Sequence, residues 1–226
     1  SPTLGLTIGS GSVSASYFLG SSSSALKCRY KVLAGQTDDN GIAVTSPLVL
    51  NSATIKDGVG NSLTPLTFTV PNASGVKVDT TAPILSNVSQ PSDGTYVSAQ
   101  NLDFTVTYNE AVTVNTGGGT PSLAMSVGSV PRAAAYQSGG GTTALLFRYT
   151  TQTGDADLDG IVVDSAITLN GGTLQDAAGN GAPTAFTALT TTGIRVDTSS
   201  PLIGTVSAPV SASYRAGQAL DFSVNF

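Results

Sequence analysis

The sequence contains no histidine and no tryptophan, and it has one methionine and one cysteine, Cys28. Without histidine the chain lacks the commonest general base and metal ligand, which excludes serine-triad, cysteine–histidine and zinc chemistry within this segment. A single cysteine cannot form an internal disulfide. Because Cys28 alternates with Leu26 and Tyr30, we predict a small buried apolar side chain rather than a reactive thiol. We therefore expect a protein that has no disulfide and is not an enzyme.

Charge is also scarce, since only 10% of the residues are charged. The 9 Lys and Arg residues are outnumbered by 14 Asp and Glu residues and form no basic stripe, so nucleic acid is not expected as a partner. An acidic surface is instead compatible with divalent cations. No apolar run approaches the roughly 18 residues needed to cross a bilayer, so no membrane span is expected.

What the sequence does contain is typical of an all-β protein. Its 26 glycines and 11 prolines mark turns, while its many Thr and Val residues favour pleated, half-buried strands. Short strands with a turn about every 8–12 residues predict immunoglobulin-like Greek-key β-sandwiches in tandem. The strands predicted between residues 83 and 200 are 84–89, 102–108, 122–127, 132–137, 144–150, 161–163, 166–169 and 185–196.

The chain also repeats itself. Tyr17 matches Tyr136 at an offset of 119 residues (136 − 17), and many other pairs share that offset. The segment VDTTAP at 78–83 returns as VDTSSP at 196–201, at an offset of 118 (196 − 78) after one deletion. An acidic residue, small hydroxyl residues and a proline make a poor strand interior, so each of these segments is predicted to be a joint between folded units.

The phase of the repeat divides the chain into three parts. Residues 83–200 are a complete repeat, 1–82 are an incomplete repeat that lacks its opening strands, and 201–226 are the opening strands of the next repeat. Residues 1–82 lack opening strands, and residues 201–226 are opening strands without the rest of their repeat. We therefore predict that 201–226 of one chain completes 1–82 of another by strand donation. The alternative is that the segment is a window cut from a longer continuous array.

Six segments of the chain carry a resemblance to a known family: VDTTAP, LDFTVTYNEAV, GTPSLAMSVG, TALLFRYTTQTGDADLDGI, LNGGTLQDAAGN and GIRVDT. In this order they resemble the tandem immunoglobulin-like repeats of very large bacterial secreted and surface proteins, which are repeat-rich adhesins often exported by type I secretion. The resemblance covers nearly the whole chain. It implies rod-like extender regions on the bacterial surface or outside the cell, frequently rigidified by calcium at or near the joints, and it implies no catalysis.

On this basis we expect a structural extender or stalk, whose partners are neighbouring repeats or copies of itself arranged head to tail. Two alternatives stay open. One is a module that binds carbohydrate or a host surface, which would need exposed aromatic side chains, whereas Tyr108 and Tyr149 fall on predicted core positions. The other is an accessory domain of a secreted enzyme.

Two groups of acidic residues are candidate calcium sites. Asp155, Asp157 and Asp159, followed by Gly160, have the alternating spacing that lets three carboxylates converge on one Ca²⁺. The match to a complete calcium loop ends there, because Ala166 stands where a bidentate Glu would be expected. A solvated turn is the alternative, since Asp and Gly are common turn residues.

The second candidate site involves the first joint. In a Greek-key sandwich of seven strands, the loop predicted to contain Glu110 and the loop containing Asp176 and Asn180 lie at the pole where the chain enters. Asp79 lies in the entering joint, so four oxygen-bearing side chains would face one junction. A hard cation such as Ca²⁺ there would tie the joint to the unit. The alternative is that Glu110 and Asp176 bond loop amides while Asp79 is solvated.

Overall fold

A computed structural model describes residues 1–226 as an all-β chain of 18 strands. The all-β prediction is therefore confirmed. The chain contains no helix with the length and apolar character needed to cross a membrane. The strands before the first joint and at its start are β1 (Thr3–Ile8), β2 (Gly11–Leu19), β3 (Lys27–Arg29), β4 (Thr37–Asp38), β5 (Ala43–Val49) and β6 (Val78–Asp79).

These six strands form a four-stranded sheet in the order β3-β2-β1-β5 and a separate pair of β4 with β6. β1 and β2 form a hairpin because Ile8 pairs with Gly11, which leaves Gly9 and Ser10 as a two-residue turn. Gly9 has a φ of 56°, the positive value that such tight hairpin turns require.

The middle of the chain, between the two joints, carries most of the strands. They are β7 (Leu85–Ser89), β8 (Gly94–Tyr96), β9 (Asn101–Asn115), β10 (Ser122–Val127), β11 (Val130–Ser138), β12 (Thr142–Thr150), β13 (Ala156–Asp157), β14 (Val162–Thr168), β15 (Thr173–Gln175) and β16 (Ile194–Asp197). The larger sheet has the order β14-β10-β11-β12-β9-β15, and β7 pairs with another part of β9. A second sheet has the order β13-β16-β8, in which β16 and β8 run parallel.

The core lies in this middle part. It consists of 18 buried residues, and four of them alternate along β9: Leu102, Phe104, Val106 and Tyr108. The paired strand β12 contributes Leu145, Phe147 and Tyr149 from facing positions. This is the alternation expected of a strand with one buried face.

The structure contains three short strands that were not predicted, β8, β13 and β15, and it changes four of the predicted ones. β9 does not end at residue 108 but continues to Asn115, because Val112 and Val114 extend the apolar alternation, so Glu110 lies in a strand and not in a loop. The two strands predicted at 161–163 and 166–169 are one strand, β14. Of the predicted strand 185–196, only the end belongs to a strand, β16.

Strand pairing shows the same offset as the sequence. Thr3 pairs with Ser16 between β1 and β2, and Ser122 pairs with Ala135 between β10 and β11, a shift of 119 (122 − 3). We call residues 1–82 the first copy and residues 83–200 the second copy of the repeat. The first copy has only four buried residues, which are Ile8, Ala15, Asp38 and Val78.

The remaining residues, 201–226, form an antiparallel pair of short strands, β17 (Thr205–Ser207) and β18 (Ser223–Asn225). None of these residues is buried. Cys28 in the first copy is half-buried, not fully buried as predicted. It lies in β3, which pairs only with β2, whereas the corresponding strand β12 of the second copy is also covered by β9.

Candidate metal centre at the joint

The joint at 78–83 pairs with and is hydrogen-bonded to the copy that precedes it. Thr37 pairs with Asp79 between β4 and β6. The Thr80 hydroxyl accepts a hydrogen bond from the Gly35 amide at 2.9 Å and donates one to the Gln36 carbonyl at 3.0 Å. These contacts fix the start of the joint against a loop of the first copy.

The joint is also fastened to the copy that follows it. Ile84, the first residue after the joint, donates its amide to the side-chain oxygen of Asn109 at 2.7 Å, which fixes the chain where it leaves the joint. The side-chain amide nitrogen of Asn180 donates to the backbone oxygens of Asp79 and Thr81, at 3.3 and 3.1 Å. Hydrogen bonds from both copies therefore converge on about six residues of connecting chain, and Asn180 faces the joint with its nitrogen rather than with the oxygen that a metal ligand would offer.

Three carboxylates meet beside this joint. Asp79, Glu110 and Asp176 each have an oxygen atom within 4.8 Å of the others. Asp176 is buried, and the other two are half-buried. Neither of the two salt bridges in the chain involves any of them, so three negative charges share one place without an ion-paired cation.

The charges affect one another's protonation. Partial burial and the carboxylates of Asp176, Asp79 and Asp39 raise the pKa of Glu110, because each disfavours its charged form. Burial would also raise the pKa of Asp176, but hydrogen bonds from the Asn180 side chain and from backbone amides outweigh that effect and lower it. Glu110 is thus less favourably placed as an anion than Asp176.

This arrangement fits a calcium ion. Two oxygen ligands of one Ca²⁺, each about 2.3–2.6 Å from the ion, are at most about 5 Å apart, and the three carboxylates are within that limit. Asp79, Glu110 and Asp176 would hold the ion, with water completing the coordination. The ion would supply the positive charge that this group of side chains lacks.

Comparison with protein-family models, curated proteins and solved structures found no match. The two copies of the repeat can still be compared with each other. Asp57 and Asn61 of the first copy correspond to Asp176 and Asn180 (176 − 57 = 119), and the Asn61 side chain likewise donates to Asp57, at 2.8 Å. The turn is therefore common to both copies. Only in the second copy does it lie beside Glu110 and the joint.

The structure does not bring together the other predicted calcium ligands, Asp155, Asp157 and Asp159. Asp155 accepts hydrogen bonds from the Arg132 guanidinium at 2.7 and 3.0 Å and from the Tyr149 hydroxyl at 2.5 Å. Its carboxylate is fully buried and paired with Arg132, so its neighbours in the structure are not the two carboxylates that were predicted to share its cation.

Asp157 and Asp159 have separate surroundings. The Asp157 carboxylate accepts the amides of Gly128 at 2.5 Å and Gly160 at 2.9 Å, while Asp159 is exposed. In the first copy Asp38 accepts the Gly9 amide at 2.7 Å in the same way. The acidic spacing thus reflects a loop in which each carboxylate bonds its own partners.

Sequence reasoning missed two residues that act beside the joint. Asn109 exchanges hydrogen bonds with the backbone of Ile84, since its own amide also donates to the Ile84 oxygen at 3.0 Å. Asp39, in the loop after β4, is the one charge of the first copy's loops that contributes to raising the pKa of Glu110. Nothing in the local sequence marks either residue, because Asn109 bonds a residue 25 positions earlier and Asp39 acts on a carboxylate of the other copy.

Proposed function

We propose that this chain is a structural extender segment of a bacterial cell-surface or secreted repeat protein, and that its role is to hold successive units in line rather than to catalyse a reaction. The observation that carries this proposal is the joint, which is hydrogen-bonded to the first copy through Thr80 and to the second through Asn180. Units joined by an unbonded linker move freely relative to one another. A joint bonded on both sides restricts that motion.

Each unit is, in this proposal, an immunoglobulin-like Greek-key β-sandwich. Support comes from the two sheets around the core of the second copy, one containing β9 and β12 and one containing β8 and β16. The resemblance of the segments quoted above to bacterial immunoglobulin-like repeats points the same way. Such repeats function outside the cell or on its surface, which is the location proposed here.

Calcium is the proposed cofactor of the joint. The three carboxylates of Asp79, Glu110 and Asp176 come from the joint, from β9 and from the turn after β15. An ion shared by all three would add a cross-link between the joint and the second copy. We expect a dissociation constant on the order of 10⁻⁴–10⁻³ M, the range of extracellular calcium modules with few charged ligands.

Isothermal titration of the whole chain with calcium chloride tests this cofactor. We expect one site that is lost in Glu110→Gln, while Asp159→Asn, which removes an exposed carboxylate outside the group, keeps it. Small-angle scattering should show a narrower distribution of distances between the copies in calcium than in chelator. Superimposable scattering profiles together with no detectable heat of binding would overturn the calcium-stiffened joint.

A module that binds carbohydrate is the second candidate. Aromatic side chains that stack on sugars must be exposed, whereas Tyr108 is 2% and Tyr149 is 5% exposed in the core. The ring of Phe18 is partly exposed, but the Arg29 guanidinium lies over it, 3.4 Å from the ring centroid, and occupies a face on which a sugar would stack. A saturable signal on a glycan array would nevertheless favour this function over the extender.

A further inference from the structure

Three asparagines of the chain are followed directly by glycine: Asn40, Asn170 and Asn180. In such a pair the backbone nitrogen of the glycine can attack the side-chain carbonyl carbon of the asparagine, because a glycine has no Cβ to hinder the approach. The attack requires a side chain that is free to turn onto the backbone and a glycine nitrogen that is not already engaged. The three pairs differ in both respects.

The two asparagines of the second copy are held by hydrogen bonds. The Asn170 side chain donates to the Thr120 oxygen at 2.8 Å and to the Ser122 hydroxyl at 3.0 Å. The Asn180 side chain donates to Asp176 at 2.7 Å, in addition to its bonds to the joint. Each of these side chains must break its hydrogen bonds before its carbonyl carbon can turn onto the next nitrogen.

Asn40 in the first copy has no such restraint. It is exposed in the bend between β4 and β5, and its side chain makes no hydrogen bond. The amide of Gly41 also donates to no acceptor. The chain is fixed again only at Ile42, whose amide donates to the Val76 oxygen at 2.9 Å. Both reacting groups of this pair are therefore free.

The free amide of Gly41 is a difference between the two copies. In the second copy the corresponding amide, that of Gly160, donates to Oδ1 of Asp157 at 2.9 Å. In the first copy the corresponding oxygen, Oδ1 of Asp38, is buried and has no hydrogen-bond partner. The first copy thus has the acceptor without the bond that would hold the glycine nitrogen.

We propose that Asn40 is a site of spontaneous deamidation, with the Gly41 nitrogen as the nucleophile. That nitrogen forms a bond to Cγ of Asn40, the bond between Cγ and Nδ2 breaks, and ammonia leaves with the proton that the Gly41 nitrogen gives up. Water then opens the cyclic imide. Opening at Cγ leaves aspartate in an ordinary backbone, whereas opening at the backbone carbonyl carbon leaves isoaspartate, in which the chain continues through Cγ.

The aspartate product fits the loop, because the second copy has Asp159 at the corresponding position (159 − 40 = 119) and it is exposed there. The isoaspartate product lengthens the backbone by one atom within the same exposed bend. Either product places a new carboxylate beside Asp39, whose charge already disfavours the ionised form of Glu110. The reaction therefore adds negative charge beside the joint in one direction only, and it depends neither on the extender function nor on calcium.

Peptide mapping by mass spectrometry, after incubation of the whole folded chain at mildly alkaline pH, tests this site. We expect Asn40 to convert to aspartate and isoaspartate about tenfold or more faster than Asn170 and Asn180, because each of those must first lose at least two hydrogen bonds. In urea, where no side chain is held, the three rates should become similar, since all three asparagines precede glycine.

The matched variant is Asn40→Gln, which keeps an exposed amide but is one methylene too long to close the same ring. It should largely remove the acidic shift that the parent chain develops on isoelectric focusing, whereas Asn40→Asp should show that shift from the start. Gly41 itself cannot be changed without strain, because its φ is 96° and an added Cβ would lie 2.2 Å from the Ser74 oxygen. The proposal is overturned if Asn40 of the folded chain reacts no faster than Asn170 and Asn180, or if Asn40→Gln develops the same acidic shift as the parent.

Discussion

Asp155→Ala removes a carboxylate that is 1% exposed and accepts hydrogen bonds from Arg132, Tyr149 and the Gln152 amide. Removing one partner of a buried ion pair costs about 3–5 kcal/mol. The Arg132 side chain is 25% exposed and can be rehydrated, which favours the lower end of that range. The buried Tyr149 hydroxyl also loses its acceptor, at a further cost of about 1 kcal/mol. We therefore expect the free energy of unfolding of the second copy to fall by about 4 kcal/mol.

The first copy indicates which substitution should rescue this loss. Val13 and Gln36 occupy the positions of Arg132 and Asp155 (132 − 119 and 155 − 119). Gln36 donates to the hydroxyl of Tyr30, the counterpart of Tyr149, at 2.9 Å. A neutral side chain therefore satisfies the tyrosine at this position. Arg132→Val alone leaves a buried carboxylate without its cation and should cost about 3 kcal/mol, whereas Arg132→Val with Asp155→Gln should cost less than about 2 kcal/mol.

Urea unfolding, monitored by circular dichroism and tyrosine fluorescence, measures these differences in stability. Each appears as a shift of the unfolding midpoint at an unchanged m-value. Because the two copies can unfold separately, the change should be confined to one transition. A cost below about 1 kcal/mol for Asp155→Ala would show that the network contributes little to stability. A double variant as unstable as Arg132→Val alone would contradict the argument from charge.

The difference in stability between the parent chain and Asp155→Ala depends on pH, and the direction of that dependence follows from the pKa of Asp155. Burial disfavours the charged form of Asp155, but hydrogen bonds from Tyr149, Gln152 and Arg132 outweigh it and lower its pKa in the folded chain. Its stabilising contribution is therefore present above the unfolded pKa of about 4 and is lost as the pH falls through the lower folded value. The gap in stability between the parent chain and Asp155→Ala should narrow on acidification below about pH 4.

Three further substitutions test the joint and the loops. Glu110→Gln should stabilise the calcium-free chain near neutral pH, because the pKa of Glu110 is raised in the fold and its ionisation is unfavourable there; unfolding midpoints should converge at acid pH. Asn180→Ala should lower the free energy of unfolding in urea by about 1–2 kcal/mol. The loss should exceed that of Asn61→Ala, because Asn61 lies in the same turn of the first copy but bonds no joint. Gly160→Ala, whose Cβ would lie 2.4 Å from a backbone atom, should lower the melting temperature more than Gly154→Ala, which meets nothing within 4 Å at a similar positive φ.

Much of the fold could be predicted because its determinants are local. Alternation of apolar residues places strands such as β9 and β12, and glycines with positive φ mark the turns between them. The internal repeat then relates strands that are far apart in sequence. The extension of β9 past Tyr108 was missed because Asn109 is a typical turn residue, whereas here the strand continues through it and Asn109 bonds the backbone of Ile84.

The candidate sites show where local patterns stop being informative. The spacing of Asp155, Asp157 and Asp159 is the same whether the carboxylates share a cation or bond separate partners, and Arg132 lies 23 residues away. By contrast, the meeting of Asp79, Glu110 and Asp176 was predicted from the topology of the fold, which determines which segments share one end of a unit. Only the geometry of the junction could add Asn109 and Asp39.

The parallel pairing of β8 with β16 has a mechanical consequence. β8 lies near the start of the second copy and β16 at its end, and three residue pairs join them: Gly94 with Ile194, Thr95 with Arg195 and Tyr96 with Val196. Tension along the chain pulls the two strands in opposite directions along their own axes. Their hydrogen bonds are then loaded together in shear instead of opening one after another, so the second copy resists stretching with all of them at once.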